Sequence, residues 1–217
     1  MLELYLFVNP LGATCYQAEQ NILRLAEMSK KRIKFKFVPL LNMESTTAIM
    51  SANNLNICNL QKRNEITQLL YRAVLDYKAA MFQGTKRGKC FLLHIQKQIH
   101  DYQRDYDEAL VIEAAKASKL DLEMFLGDRH SDLAVKCFKK DQELAAKLNV
   151  HSNPTMIIYN LDGYDCGFAV KDCQSFALLE DLLLGDRDEF ICPDFHRATS
   201  SRKICAKLYP LFNKQEK

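Results

Sequence analysis

The stretch from Leu6 to Glu27, LFVNPLGATCYQAEQNILRLAE, constrains the fold most, because it joins an apolar strand directly to a helix. The apolar run ends at Asn9-Pro10, and apolar residues then recur at helical spacing. A helix that follows such a strand and carries a cysteine at its start is typical of a thiol redox site. Such a site needs the spacing C-x-x-C. Here the four positions are Gly12-Ala13-Thr14-Cys15, so the sequence predicts an α/β scaffold with a degenerate redox motif.

Composition and charge narrow the class of protein. The chain has 217 residues, of which 48% are hydrophobic and 26% are charged, so it can bury a core in one or two domains. Its net charge of +3 is too small to indicate nucleic-acid binding, and we interpret the basic run Lys86-Arg87-Gly88-Lys89 as a solvated helix start. The N-terminal residues do not resemble a signal peptide, and no apolar run approaches the roughly 20 residues of a membrane span. We expect a cytoplasmic protein without nucleic-acid or membrane partners.

The cysteines give no sign of a metal site. All eight are scattered, and no two are C-x-x-C neighbours. In a reducing cytosol they are expected to be free thiols, mostly buried. The only zinc candidates, Cys192, His196 and Cys205, lack a close ligand pair. We therefore expect neither a metal nor another cofactor.

The predicted elements follow the order strand, helix, strand, several helices, two strands and a helix. Leu2 to Val8 form a strand with apolar residues on both faces, and Ile33 to Phe37 alternate with lysines. Helical spacing dominates from Met43 to Asn149, with Asp121 and Ser131 as predicted N-caps. Two strands then flank the turn signal Asp162-Gly163, and a helix ends at Gly185.

This order predicts a discontinuous fold. We expect one α/β domain over residues 1–42 and 150–185, with an all-helical insertion subdomain over 43–149. The remaining segment, 186–217, is too apolar for a disordered tail, and either packs on the domain or binds a partner. Within it, Ser200 or Ser201 is predicted to cap a short helix that ends before Pro210.

The element order and two short motifs resemble the thioredoxin fold with the helical insertion of the DsbA family. The phrase FVNPLGATC resembles the opening F-x-[DN]-P-x-C-x-x-C of that family, with matches at Phe7, Asn9, Pro10 and Cys15. The sequence Asn153-Pro154-Thr155 resembles the family's cis-proline loop, which lies beside the active site. The resemblance covers roughly residues 2–184 and implies a cis peptide bond before Pro154, with that proline facing the motif.

Within that family, the chain is similar to the SpxH or YjbH adaptors of Gram-positive bacteria. The similarity rests on the QG-x-x-x-G phrase in YKAAMFQGTKRGKCFLLHIQ, on LDLEMFLGDRHSDLAVKCF and on NPTMIIYN. It implies that the chain binds a Spx-like transcription regulator and thereby serves the ClpXP protease, which is an indirect partner. The face that binds the partner is not identified by any of these motifs.

The degenerate motif favours binding over catalysis. The nucleophile of a C-x-x-C enzyme is a thiolate at the helix N-terminus, and Gly12 has no side chain there. Cys15 occupies the resolving position and has no partner in its own motif, so it is either a packing thiol or a residual redox group. His151 is a solvent-facing loop residue or, alternatively, lies near Cys15 and activates it.

Two functional hypotheses follow. The first is a non-enzymatic adaptor, in which no residue is catalytic. The second is a thiol-disulfide oxidoreductase or a thiol redox sensor that acts through Cys15. A glutathione-dependent activity would also suit this fold class, but no glutathione site is identifiable in the sequence. Gly12 favours the first hypothesis.

Overall fold

The computed structural model describes residues 1–30, 32–160, 167–171, 173–184 and 210–211. A mixed sheet with the strand order β2-β1-β3-β4-β5 lies at the centre. The strands are β1 (Leu2–Val8), β2 (Ile33–Pro39), β3 (Thr155–Tyr159), β4 (Gly167–Val170) and β5 (Pro210–Leu211). The helices are α1 (Ala13–Met28), α2 (Met43–Ala52), α3 (Leu60–Phe82), α4 (Thr85–His100), α5 (Glu108–Ala117), α6 (Leu122–Asp128), α7 (Asp132–Lys147) and α8 (Phe176–Leu184).

The first half of the sheet is a parallel β-α-β unit, as the sequence predicted. β1 pairs with β2 in parallel, with Leu4 opposite Phe35, and α1 provides the crossover. One face of β1 packs on α1 and α8 through a buried cluster that includes Leu6, Ile22 and Leu179. The other face packs on α7 and includes Phe7 and Ala145. Burial on both faces explains why β1 is apolar at almost every position.

The second half is antiparallel. β3 pairs with β1 and with β4, which confirms the two predicted strands. The turn signal Asp162-Gly163 lies outside the described residues, and β4 is described from Gly167 to Val170. β5 pairs with β4 through Pro210 and Leu211, a strand that the sequence did not predict. The short helix expected after Ser200 lies outside the described residues.

Helices α2 to α7 separate β2 from β3, so the predicted all-helical insertion is confirmed. The insertion has its own apolar cluster, built around Phe91 and Phe125. It also shares the core of the sheet, because Tyr77 and Leu92 belong to the cluster beneath β1. The predicted N-caps are confirmed: Asp121 accepts a hydrogen bond from the Met124 N–H, and Ser131 from the Ala134 N–H. The domain boundaries at residues 42, 149 and 185 remain predictions.

The QG-x-x-x-G phrase is explained by the junction of α3 and α4. Gly84 has a φ of 116°, which favours glycine, and it reverses the chain between the two helices. A Cβ at Gly88 would lie 2.5 Å from the sulfur and 2.9 Å from the Cα of Met81. Only glycine lets the two helices approach so closely at that point. Among the residues that the structure describes, no helix combines the length with the hydropathy that a membrane span requires.

A buried charged network ties the insertion together. Arg129 donates to both carboxylate oxygens of Asp76, at 2.7 and 2.9 Å, and also pairs with Glu108. The Tyr106 hydroxyl donates to Asp76 as well. Lys78 and Asp141 form a second buried pair between α3 and α7. These contacts satisfy charges that would otherwise be costly to bury.

Side chains from three helices of the insertion also form hydrogen bonds with the open edge of β2. The backbone bonds from Leu2 N to Arg32 O and from Leu40 N to Val8 O show that even-numbered residues of β2 pair with β1. Its odd-numbered residues therefore direct their N–H and C=O groups off the edge. Three of these outward carbonyls accept hydrogen bonds from the insertion. The Phe35 carbonyl accepts from Lys89 Nζ at 2.8 Å, and the Phe37 carbonyl accepts from Tyr77 Oη at 3.2 Å. The Pro39 carbonyl accepts from Gln142 Nε2 at 3.0 Å.

Candidate functional site

The degenerate motif lies where the sequence predicted it, between the carboxyl end of β1 and the start of α1. Gly12 is the N-cap of α1 with extended backbone angles, and no side chain caps this helix end. Ala13 and Thr14 are exposed, whereas Gly12 and Cys15 are buried. The surface at the usual position of a redox nucleophile therefore consists of backbone and two small side chains.

Cys15 is held as a buried thiol. Its side chain is 1% exposed, and Sγ accepts a hydrogen bond from the Asn9 N–H at 3.2 Å. The thiol also lies 4.0 Å from Oδ1 of Asn153, toward which it donates. Burial raises the pKa of Cys15 far above its ordinary value, against the smaller effect of the Asn9 N–H. The neutral thiol is therefore the stable form, which is a poor nucleophile.

The position of Gly12 could accommodate a side chain. A Cβ built there would lie 3.4 Å from Cys15 Sγ and 3.4 Å from the Cβ of Asn9, both ordinary contacts. Its backbone angles suit any residue, because φ is −87°. Steric crowding therefore does not explain why a glycine replaces the nucleophile. The structure therefore has room for a second cysteine side chain at position 12.

The cis-proline loop lies next to the motif. The peptide bond between Asn153 and Pro154 is cis, which confirms the expectation from the sequence. Thr155 begins β3 and pairs with Phe7, near the carboxyl end of β1. The loop that precedes Thr155 therefore lies at the same edge of the sheet as the motif, which follows β1. Asn153 Nδ2 donates to Leu40 O at 3.0 Å and to Ser45 Oγ at 2.8 Å. Direct side-chain contact of Pro154 with the motif remains a prediction.

Two buried polar side chains near the motif were missed by the sequence analysis. Glu19, one helical turn after Cys15, is 0% exposed and accepts a hydrogen bond from Gln96 Nε2 at 2.9 Å. Burial raises the pKa of Glu19 to about 8, and the bond from Gln96 opposes this only in part. The signal was available, because Glu19 falls on the apolar face of α1 with Cys15 and Ile22.

A groove opens beside the motif toward the helical insertion. Its volume is about 530 Å³, and Leu11 and Ala13 form one wall. The opposite wall comes from α2, α3 and the end of α4, with Ile49, Leu69 and Ile99 among its apolar residues. This groove and the cis-proline loop are the two surfaces that the fold places around the degenerate motif.

Other candidate residues are not brought to this site. His151 is exposed, and its Nε2 lies 2.7 Å from Asn149 Oδ1, so it does not pair with Cys15. The zinc candidates Cys192, His196 and Cys205 lie outside the described residues. Within the described ranges, no three His, Cys, Asp or Glu side chains lie together as metal ligands would, and Cys15, Cys58, Cys90, Cys137 and Cys173 form no disulfide.

Solved structures support the fold. A thioredoxin-like oxidoreductase from Silicibacter pomeroyi superposes with a TM-score of 0.54 at 14% identity, covering 83% of each chain. The oxidoreductase DsbA from Xylella fastidiosa superposes with a TM-score of 0.52 at 12% identity, covering 73% of each chain. At these identities, the likeness concerns the fold alone.

Sequence comparison narrows the family. A family model described as Thioredoxin matches residues 5–181. The ClpXP adapter protein SpxH of Bacillus subtilis is 33% identical over 85% of this chain and 68% of its own length. The protein of the same name from Bacillus licheniformis is 30% identical over the same shares. The chain therefore belongs to the thioredoxin family and, within it, to the SpxH group.

Proposed function

We propose that this chain is a non-enzymatic adaptor that binds a Spx-like transcription regulator and promotes its degradation by ClpXP. One observation carries the proposal: the site keeps the thioredoxin geometry but has Gly12 at the nucleophile position and a buried neutral Cys15 behind it. The names of its relatives in two Bacillus species, both called ClpXP adapter proteins, support the same reading.

The physical argument is that binding survives the loss of the thiolate. A thioredoxin-type site holds a passing chain beside its cis-proline loop, and that loop is present here at Asn153–Pro154. Without a nucleophile at residue 12, a bound chain is released unchanged. An adaptor needs no more than this, since it acts by raising the local concentration of its client at the protease or by favouring one client conformation.

The partner and the compartment follow from the proposed role. The regulator is the direct partner, and ClpXP is an indirect one. We assign the protein to the cytoplasm, because a protease that removes a transcription regulator works where the regulator is. The groove beside Leu11 and Ala13, together with the cis-proline loop, is the surface that we assign to the regulator.

The alternative is a thiol-disulfide oxidoreductase or redox sensor that acts through Cys15. Its support is that proteins of the same fold are oxidoreductases by name and that Cys15 itself is retained. A sensor would need the thiol to become accessible and to find a second thiol. Burial of Cys15 at 1% exposure and its raised pKa oppose both steps.

The test is reconstituted degradation of purified Spx by ClpXP, with and without this protein, in reductant. We expect faster degradation with the wild-type protein and with Cys15→Ser. The matched control is Cys173→Ser, which alters another buried thiol of the same apolar cluster. No stimulation under any redox condition would refute the adaptor role. Stimulation that is lost in Cys15→Ser but kept in Cys173→Ser would favour the thiol sensor.

A further inference from the structure

The fold brings together two basic segments that are distant in sequence, Arg32 to Lys36 and the start of α4 around Lys89. Both line one groove at the open edge of β2. The edge groove, as we call it, has a volume of about 500 Å³. It is lined by Glu3, Leu4, Tyr5, Arg32, Ile33, Lys34, Phe35, Lys36, Met81, Thr85 and Lys89. We propose that the edge groove docks an acidic, extended segment of a partner protein.

Charge is the first argument. Arg32, Lys34, Lys36 and Lys89 line the edge groove, and Glu3 is the only acidic residue among the described residues that do so. Glu3 lies 3.7 Å from Lys34 Nζ, which leaves the other cations without an acidic partner in the lining. The whole chain carries a net charge of only +3, so positive charge is concentrated here. Such a concentration attracts and orients carboxylates.

The start of α4 strengthens this field. Lys86 and Arg87 are exposed in its first turn, next to the lining residues Thr85 and Lys89. The first turn contains no acidic residue, and Gly84 provides no side-chain cap. The amino-terminal end of a helix carries a partial positive charge, which repels cations and attracts anions. The carboxylates of a bound segment would relieve this repulsion.

The strand edge supplies the second argument. β2 is the last strand of the sheet on this side, and Ile33 and Phe35 direct their N–H groups away from β1. The outward carbonyls from Phe35 onward already accept hydrogen bonds from Lys89, Tyr77 and Gln142. The carbonyl of Ile33 accepts none of these three bonds. A segment can therefore pair with β2 only around Ile33 to Phe35, in the manner of strand addition.

The chemistry of the groove favours a peptide over a nucleic acid. Its apolar lining, Leu4, Ile33 and Met81, suits the alternate side chains of a strand. The two aromatic rings among the described residues of the lining are both engaged: Lys89 Nζ lies 3.5 Å from the ring centroid of Phe35, and the Tyr5 ring packs against Tyr159 at 5.8 Å. The edge groove adjoins the amino-terminal half of β1, whereas the degenerate motif follows its carboxyl end. The proposal therefore stands apart from the proposed function.

The test measures binding of a fluorescein-labelled peptide of alternating glutamate and valine by anisotropy. The test variant is Arg32→Glu combined with Lys34→Glu. The matched control is Lys139→Glu combined with Lys140→Glu, which makes the same charge change at exposed sites of α7. We expect the test variant to weaken binding about tenfold or more and the control less than about twofold, because opposing local charge acts at short range.

Four results would overturn the proposal. Equal losses in both variants would indicate a general charge effect, and equal binding of a lysine-valine peptide would remove the role of charge. Tighter binding of single-stranded oligothymidylate would point to nucleic acid. Amide exchange measured in parallel should slow at Ile33 and Phe35 when the acidic peptide binds, and unchanged exchange there would refute strand addition. Circular dichroism verifies that both variants are folded.

Discussion

Replacement of the buried Glu19 by glutamine should stabilise this protein at neutral pH. The carboxyl group has one hydrogen bond, from Gln96 Nε2, and its Oε2 atom and Gln96 Oε1 are both buried without a partner. Protonation of Glu19 would turn its Oε2 atom into a hydrogen-bond donor. The neighbouring Gln96 side chain has an amide oxygen, Oε1, that lacks a donor. Glutamine offers the same shape with a permanent N–H donor, and Cys15 and Tyr77 nearby are neutral in this range.

The sign of the effect follows from the pKa. Burial raises the pKa of Glu19 from 4.5 to about 8, so the folded state holds a proton that the unfolded state releases. The contribution of Glu19 to the free energy of unfolding is complete below about pH 4.5 and falls as the pH rises. It is lost once the pH passes the pKa of Glu19 in the folded state, near 8. At about 1.4 kcal/mol per pH unit, the loss is about 3 kcal/mol at pH 7 and about 5 kcal/mol when complete.

The assay is urea unfolding of the wild type, Glu19→Gln and Glu27→Gln across this pH range. Glu27 lies on the same helix but is exposed, so its variant controls for the loss of one carboxylate. The difference in the free energy of unfolding between Glu19→Gln and the wild type should grow with pH, to about 3 kcal/mol near neutrality. A constant difference, or a Glu19→Gln protein less stable at every pH, would refute the reasoning. Glu27→Gln should retain the wild-type slope.

Two further changes test the site and the insertion. Gly12→Cys should form a disulfide with Cys15, because a Cβ there lies 3.4 Å from Cys15 Sγ. The chain has eight cysteines, so the variant has nine, and mild oxidation should leave seven free thiols. Nine free thiols after oxidation would contradict the site geometry. The variant should also reduce insulin faster than the wild type, which we expect not to exceed a free-thiol control. Asp76→Asn should lower the free energy of unfolding by about 3 kcal/mol or more, because it leaves Arg129 buried without its main counter-charge. Unfolding at the wild-type denaturant midpoint would contradict that role.

Local patterns were sufficient to predict most of the architecture. Alternation in β2, the caps Asp121 and Ser131 and the apolar stripes of the insertion each reflect contacts within a few residues along the chain. The cis bond before Pro154 came from family resemblance, because nothing in the local sequence requires it. The sequence predicted Gly12 and Cys15 at the start of a helix, but the depth at which Cys15 is buried depends on packing from α8 and β3.

Contacts between distant residues escaped prediction. Arg129 and Asp76 are 53 positions apart, and Lys89 and Phe35 are 54 apart, so neither pair has a local signature. Glu19 was overlooked because a single glutamate on a helix usually faces solvent. The basic run Lys86-Arg87-Gly88-Lys89 was interpreted as a solvated helix start, and no local pattern placed it beside the basic residues of β2. β5 was missed because two residues carry too little pattern to indicate a strand.

The side chains that cap β2 also bear on aggregation. An edge strand with free carbonyl groups is a template on which another chain can add, and runs of such edges build intermolecular sheets. Tyr77, Lys89 and Gln142 belong to α3, α4 and α7, so the protection of this edge depends on the docking of the helical insertion. A chain whose insertion folds late, or is cut away, would expose a strand containing Phe35, Phe37 and Val38. The insertion thus covers part of the exposed edge of the sheet that it interrupts.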